Sequence, residues 1–309
     1  RTDVDVFNLS TLQWQSAYPS TMCSEMLIDN RVTENASWSM TGHPISRHTY
    51  DMLVFDQNIG KMLMLNGSSG QGGCVEKGSS YDPYFLTGKI AWYDPITKIW
   101  DFSSVSPQWY YAASAEFDPI SGKVIVLGAN TQGGVGRLWL YDHITEELIA
   151  GPYYPSSMPG GSQNLVYFPP NQKMYYITGK GEVWEVTIDG NNFGNSTVTQ
   201  MSGVTGDLPN VVETGWAYDR VNRIIGGGIN NGHFYAFDPY SKVWKSRVIQ
   251  SNSGDVGTLA FHALDYDSVN NVFIFITNSA SGRHTWAYRY SSNADPGMDE
   301  ESPTIPNDL

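Results

Sequence analysis

Positive charge is scarce in this chain of 309 residues, which has 18 Lys and Arg against 31 Asp and Glu and a net charge of −13. Lys and Arg form no run anywhere in it. Because phosphate contacts need clustered cations, the composition argues against nucleic acid and anionic membranes as partners. An acidic polysaccharide stays possible, since a few Arg or His residues in a pocket can overcome a negative exterior. Long apolar runs are also missing, so we predict no membrane span.

Cysteine is limited to Cys23 and Cys74. Free thiols are poorly tolerated outside cells, so we expect one disulfide in an exported protein, extracellular or periplasmic; the alternative is two unrelated thiols. Four sequons agree with a secreted glycoprotein if the source glycosylates. They begin at Asn8, Asn35, Asn66 and Asn195.

Aromatic residues are abundant, at 13% of the chain, and 31 glycines supply turns, so the composition predicts an all-β fold. A hairpin module recurs: one strand ends in an aromatic residue plus Asp, a short turn follows, and a second apolar strand ends near Gly. We place the turns of the five copies after positions 56, 118, 169, 219 and 267. This spacing, close to 50 residues, indicates a repeat architecture.

A second module follows the hairpin, with a strand ending in an aromatic residue plus Asp and a bulky apolar residue six positions later. Asp94 leads to Trp100 and Asp238 to Trp244, while Asp94 and Asp142 are 48 residues apart. The two modules make a four-stranded antiparallel sheet, which must stack on its neighbours to bury both faces. A β-sandwich is the alternative, but it would not require this period.

The pattern resembles the kelch family in its Gly-rich second-strand exits, such as Gly226-Gly227-Gly228, in its aromatic-Asp third strands and in the Trp that follows. The resemblance implies a kelch-like β-propeller of four-stranded antiparallel blades over residues 1–293. We predict six blades, with five or seven as alternatives, because residues 1–43 look like half of a further blade. Residues 294–309 form an acidic, Pro-rich tail or linker.

First-strand starts line the central channel of a propeller, so we expect a ligand site there. The candidate acid, base and carboxylate-binding residues are Arg47, His48, Tyr110, Tyr111 and His262. The candidate ligand contacts are Tyr50, Trp109, Gln163, Asn164, Glu213 and Trp216. Trp109 and Trp216 could stack on a sugar or belong to the blade core. Glu213 lacks the second carboxylate that a glycosidase needs.

These residue types favour a carbohydrate-directed extracellular propeller. One possible activity is that of a polysaccharide lyase acting on acidic glycan. Arg47 would neutralise the uronate carboxylate, and a Tyr or His would abstract the proton α to it. The alternatives are a non-catalytic propeller that binds glycan or protein, and a structural matrix or coat protein. We predict no metal and no cofactor, because no acidic loop with ligand spacing stands out and the adjacent Tyr-His pair of galactose-oxidase-type enzymes is absent.

Overall fold

The computed structural model describes residues 4–19, 49–65, 90–109, 113–129, 136–159, 163–211, 214–251, 255–280 and 282–291. Within these ranges the chain is all-β, apart from two 3-10 turns at Pro169–Asn171 and Phe193–Asn195. It divides into two compact units, Arg1–Ala150 and Gly151–Leu309, and the boundary falls inside one strand. Each unit is described by itself.

The first unit holds a hairpin and two four-stranded antiparallel blades. The hairpin is β1 (Asp5–Asn8) and β2 (Gln13–Ser16). The first blade is β3 (Leu53–Asp56), β4 (Lys61–Met64), β5 (Ala91–Asp94) and β6 (Ile99–Phe102). The second is β7 (Ser114–Asp118), β8 (Lys123–Ala129), β9 (Gly136–Asp142) and β10 (Glu147–Tyr153), whose last residues cross the unit boundary. A parallel bridge between Asp51 and Ser114 places the inner strands β3 and β7 side by side.

The second unit holds three blades whose inner strands are neighbours. The third blade is β11 (Asn164–Phe168), β12 (Lys173–Ile177), β13 (Val183–Thr187) and β14 (Thr197–Gln200). The fourth contains β15 (Thr205–Gly206), β16 (Trp216–Asp219), β17 (Ile224–Asn230), β18 (His233–Asp238) and β19 (Val243–Val248), with β15 parallel to β19. The fifth is β20 (Thr258–Asp267), β21 (Val272–Ser279) and β22 (Gly282–Tyr288).

The recurring Asp closes the hairpin turns, which explains why the repeat carries it. The Asp94 carboxylate accepts hydrogen bonds from the N–H groups of Ile96 at 2.8 Å and Thr97 at 3.1 Å, and Lys98 then takes a left-handed φ of 61°. A side chain that satisfies its own turn in this way fixes the turn geometry. The same pair of bonds is made by Asn8, Asp142, Asp219, Asp238 and Asp267.

The hydrophobic core lies between neighbouring sheets. In the first unit, Met52 and Leu63 of the first blade pack with Phe117 and Val124 of the second. In the second unit, Trp244 is buried in the cluster shared by the third and fourth blades, and its indole N–H donates to the carbonyl of Gly181 at 3.1 Å. The apolar residue six positions after the third-strand Asp therefore joins a blade to the one before it.

The prediction of six blades is wrong, because the described residues form five. In the described residues β1 and β2 pair only with each other, and every side chain of β2 is exposed. A hairpin that buries so little cannot supply half a blade. The last sheet has three strands in the described residues. No helix in the described ranges is long and apolar enough to span a membrane.

Candidate functional site

The candidate site lies in the second unit, at the start of β11, in the segment just before β16 and at the middle of β20. The approach to β16 runs very close to β20: a Cβ on Gly215 would lie 3.1 Å from the carbonyl oxygen of His262 and 2.9 Å from the Cβ of Leu264. Glycine at this position removes that conflict. Side chains of these segments are thereby brought within hydrogen-bonding reach of one another.

Asn164 and His262 meet at this point. The Asn164 amide oxygen lies 3.2 Å from Nδ1 of His262, although 98 residues separate the two in sequence. Asn164 is buried, with 5% of its surface exposed. Both residues belong to the sequence-predicted site, and the structure brings them together from the third and fifth blades.

A backbone irregularity places His262. The pairing of β20 with β21 shifts register between Leu259 and Leu264, and Phe261 adopts a left-handed φ of 56°. Bulges re-aim side chains and occur often beside functional sites, while positive φ is unusual for an aromatic residue. Phe261, the residue before His262, is also 53% exposed.

The surroundings of His262 keep its imidazole neutral. Burial is the main cause that lowers its pKa from 6.5 to about 4, while a hydrogen bond with the Thr214 backbone acts in the opposite direction. The ring is therefore uncharged at neutral pH. A neutral imidazole has one nitrogen that donates and one that accepts, which suits it to bind a hydroxyl group.

The other described candidates have packing or loop contacts. Trp109 and Trp216 are each 4% exposed, and their rings lie 6.1 Å from Trp139 and 5.0 Å from Trp244, respectively. This placement favours the blade-core alternative for both tryptophans.

Two further candidates, Gln163 and Tyr50, lie in loops that lead into inner strands. The side-chain oxygen of Gln163 accepts a hydrogen bond from the Gly179 N–H at 2.9 Å, so it braces the loop between β12 and β13. Tyr50 lies just before β3 in the first unit, is partly buried and has a left-handed φ of 50°.

The remaining predicted residues lie outside the described ranges, and their roles stay predictions. They are Arg47, His48, Tyr110, Tyr111 and Glu213, together with the cysteines Cys23 and Cys74. Among the described residues, no three or more His, Cys, Asp or Glu side chains are grouped so that they could hold a metal ion.

Sequence reasoning read Thr214 and Phe261 within two predicted first-strand starts, 213–216 and 261–262, but assigned no role to either residue. Thr214 follows Glu213, and its backbone contacts the His262 ring. Phe261 precedes His262, and nothing in the sequence marks its left-handed backbone. The repeat period gives the positions of strand starts, which is the signal that found Asn164 and His262, but it does not give the bulge.

The chain matches no protein-family model and no curated protein. Solved structures that match the chain include an auxiliary nutrient binding protein from Bacteroides thetaiotaomicron VPI-5482, at 9% identity, 88% coverage of this chain and a TM-score of 0.48. An auxiliary nutrient binding protein from Bacteroides ovatus ATCC 8483 matches at 12% identity over 81% of this chain, with a TM-score of 0.47. TolB from Acinetobacter baumannii matches at 11% identity over 64% of this chain, with a TM-score of 0.40. The alignments span 60%, 62% and 45% of those chains. A further match is a protein of unknown function from B. thetaiotaomicron VPI-5482, at 16% identity and a TM-score of 0.39. This match covers 62% of the present chain and 43% of that protein. Similarity at this level carries no inference about ligands.

Proposed function

We propose that this chain is a carbohydrate-binding β-propeller that holds a glycan at the inner-strand starts of its second unit without turning it over. The observation that carries the proposal is the meeting of Asn164 and His262, with the Nδ1 of His262 3.2 Å from the amide oxygen. Two polar side chains from different blades, brought together at the predicted mouth, are what a ligand site assembled from several strands requires.

The chemistry of the pair suits sugar hydroxyls. Amide and imidazole groups each both donate and accept hydrogen bonds, as sugar hydroxyls do, and one bond of each group is already made between the Asn164 oxygen and Nδ1 of His262. Phe261, which precedes His262 in β20, is 53% exposed and adds an aromatic side chain to this segment.

The pKa of His262 favours binding over catalysis. A general base works best when its pKa lies near the operating pH, and a value of about 4 leaves His262 a weak base at neutral pH. A lyase reaction would then depend on Arg47, His48, Tyr110 or Tyr111. The proposal also includes five expectations from the sequence: the kelch-type repeat, a single domain over residues 1–293, a secreted location, the disulfide and the glycosylation.

Asn164→Ala tests the proposal. We expect it to weaken binding of the best glycan found on an array at least about tenfold, because one charge-neutral hydrogen bond plus the orientation of His262 is lost. Titration calorimetry measures the affinity. The matched control is Asn171→Ala, at the far end of the β11–β12 hairpin, where the amide instead donates to the hydroxyl of Tyr175.

Equal binding by wild type, Asn164→Ala and Asn171→Ala would contradict the site, as would the absence of any glycan ligand on the array. The same wild-type preparation, mixed with uronate polysaccharides, is followed by the ultraviolet absorbance of unsaturated chain ends. We expect no increase, and a steady increase would show that the chain is a lyase.

A further inference from the structure

A separate cavity lies between the fourth and fifth blades of the second unit. Its volume is about 270 Å³. Its walls come from the segment before β16, the end of β17 and the start of β20. The lining residues are Asn210, Val211, Thr214, Ile229, Asn230, Thr258 and Leu259.

One wall of the cavity is a pre-ordered polar network. The Asn230 side chain donates to the Asn210 carbonyl at 3.2 Å and accepts from the Thr258 hydroxyl at 3.3 Å. The Asn231 N–H in turn donates to the Thr258 oxygen at 3.3 Å. These bonds fix the amide and the hydroxyl before any ligand arrives, so little side-chain entropy is lost on binding.

Thr214 contributes a polar group that the fold itself does not use. The residue is 3% exposed, and its hydroxyl makes no hydrogen bond with any described residue. An unsatisfied buried hydroxyl is costly, and native proteins keep few of them. Its position in the lining of the cavity is one where a ligand group can supply the missing partner.

The residues that line the cavity also restrict the charge and the size of the ligand. Val211, Ile229 and Leu259 give an apolar floor, while none of the seven lining residues carries a charge. A charged ligand would lose its hydration with no counter-charge in return. The volume lies just below the range of about 300–1,000 Å³ that is typical of sites for drug-sized molecules, so the ligand is small.

We propose that this cavity binds a neutral, hydroxyl-rich molecule the size of one monosaccharide. The proposal does not depend on the glycan site: Thr214 reaches His262 through its backbone only, whereas the cavity uses its hydroxyl together with Asn230 and Thr258, which take no part in that site. A sugar ring presents an apolar face to the floor and hydroxyls to Thr214, Asn230 and Thr258. The alternative occupant is water alone, and the experiment below distinguishes water from a bound ligand.

The test is Thr214→Val, which removes the hydroxyl and keeps the shape. Wild type is titrated with glucose, galactose, mannose, glycerol and glucuronate, and binding is followed by calorimetry. We expect saturable binding of at least one neutral compound, at least about tenfold weaker binding of glucuronate, and at least about tenfold weaker binding of the neutral compound to the variant.

The stability of Thr214→Val is a second readout. Because the lost hydroxyl has no hydrogen-bond partner among the described residues, we expect a melting temperature that is unchanged or higher, so loss of binding cannot be assigned to unfolding. Thr199→Val, on the exposed strand β14, is the matched control and should bind like wild type. The Asn164→Ala protein should also keep this binding, which separates the cavity from the glycan site. Absence of binding by every neutral compound, or wild-type affinity in Thr214→Val, would overturn the proposal.

Discussion

At the scale of single residues, His262 couples the site to pH. Its pKa is lowered from 6.5 to about 4 in the folded chain, chiefly by burial. An unfolded chain would bind the proton at the ordinary value, near 6.5. Between these two values the unfolded state holds more protons than the folded state, so acid favours unfolding over that window. Below about pH 4 both states are protonated and the effect stops growing.

We therefore expect the free energy of unfolding to fall by about 2 kcal/mol between pH 7 and pH 5 through His262. Urea unfolding at the two pH values measures it. His262→Gln has no titrating group at this position and should lose that part of the pH dependence. If the variant and wild type show the same difference between pH 7 and pH 5, His262 is not buried as the structure shows.

Residue by residue, sequence reasoning located candidates better than it located contacts. Asn164 and His262 were both assigned to the mouth as expected first-strand starts, an assignment that needs only the repeat period. In the structure Asn164 begins β11, whereas His262 lies in the middle of β20. The cavity residues Asn210, Asn230 and Thr258 carry no such signal, because their neighbours come from loops whose course the period does not define. Trp109 and Trp216 could be read as either core or ligand contacts until their packing partners were known.

At the scale of the element, the Asp turn is the part of the repeat that sequence defines best. The third blade is the exception: β11 ends at Phe168, Gln172 takes the left-handed position, and the 3-10 turn Pro169–Asn171 replaces the Asp cap. The repeat pattern in the sequence placed Pro169 at the position equivalent to Asp. In the structure the equivalent position is Phe168, one residue earlier. Two prolines fix the turn by restricting φ, so the carboxylate is not needed there.

The cost of losing an Asp cap should follow its burial. Asp219 is fully buried, and its carboxylate accepts from the N–H groups of Val221 and Asn222, both at 2.9 Å, and from the Asn222 side chain at 2.7 Å. We expect Asp219→Ala to cost about 2–4 kcal/mol, because these donors lose their acceptor away from water. Chemical denaturation measures the loss.

Asp94→Ala is the control for this comparison. Asp94 caps its turn with the same two backbone bonds but lies at an exposed turn, where water can replace the lost acceptor. Its loss of stability should be clearly smaller than that of Asp219→Ala. Similar losses in the two variants would show that turn geometry, and not burial, sets the value of the cap.

At the scale of the whole molecule, the repeat period predicted the blades but not their number. The period identifies five hairpins, and the described part of the chain forms five blades. The sixth came from treating Val6-Phe7-Asn8 and Trp14 as a third and fourth strand, which they resemble locally: Asn8 even caps its turn as Asp does elsewhere. Local turn chemistry specifies a hairpin, whereas a blade also needs strands beside it and neighbours against both faces.

The charge of the whole chain bears on which glycan binds. With a net charge of −13, an acidic polymer is repelled over a Debye length of about 30 Å at 0.01 M salt, which shrinks to about 8 Å at 0.15 M. We expect the best neutral glycan to bind at least about tenfold more tightly than its carboxylated derivative at 0.01 M NaCl, and the gap to narrow at 0.15 M. Affinity for the neutral glycan should stay within about twofold, since its hydrogen bonds are not screened. Calorimetry at both salt concentrations tests this, and tighter binding of the acidic form that weakens with salt would show instead that a local cation, with Arg47 as the first candidate, controls recognition.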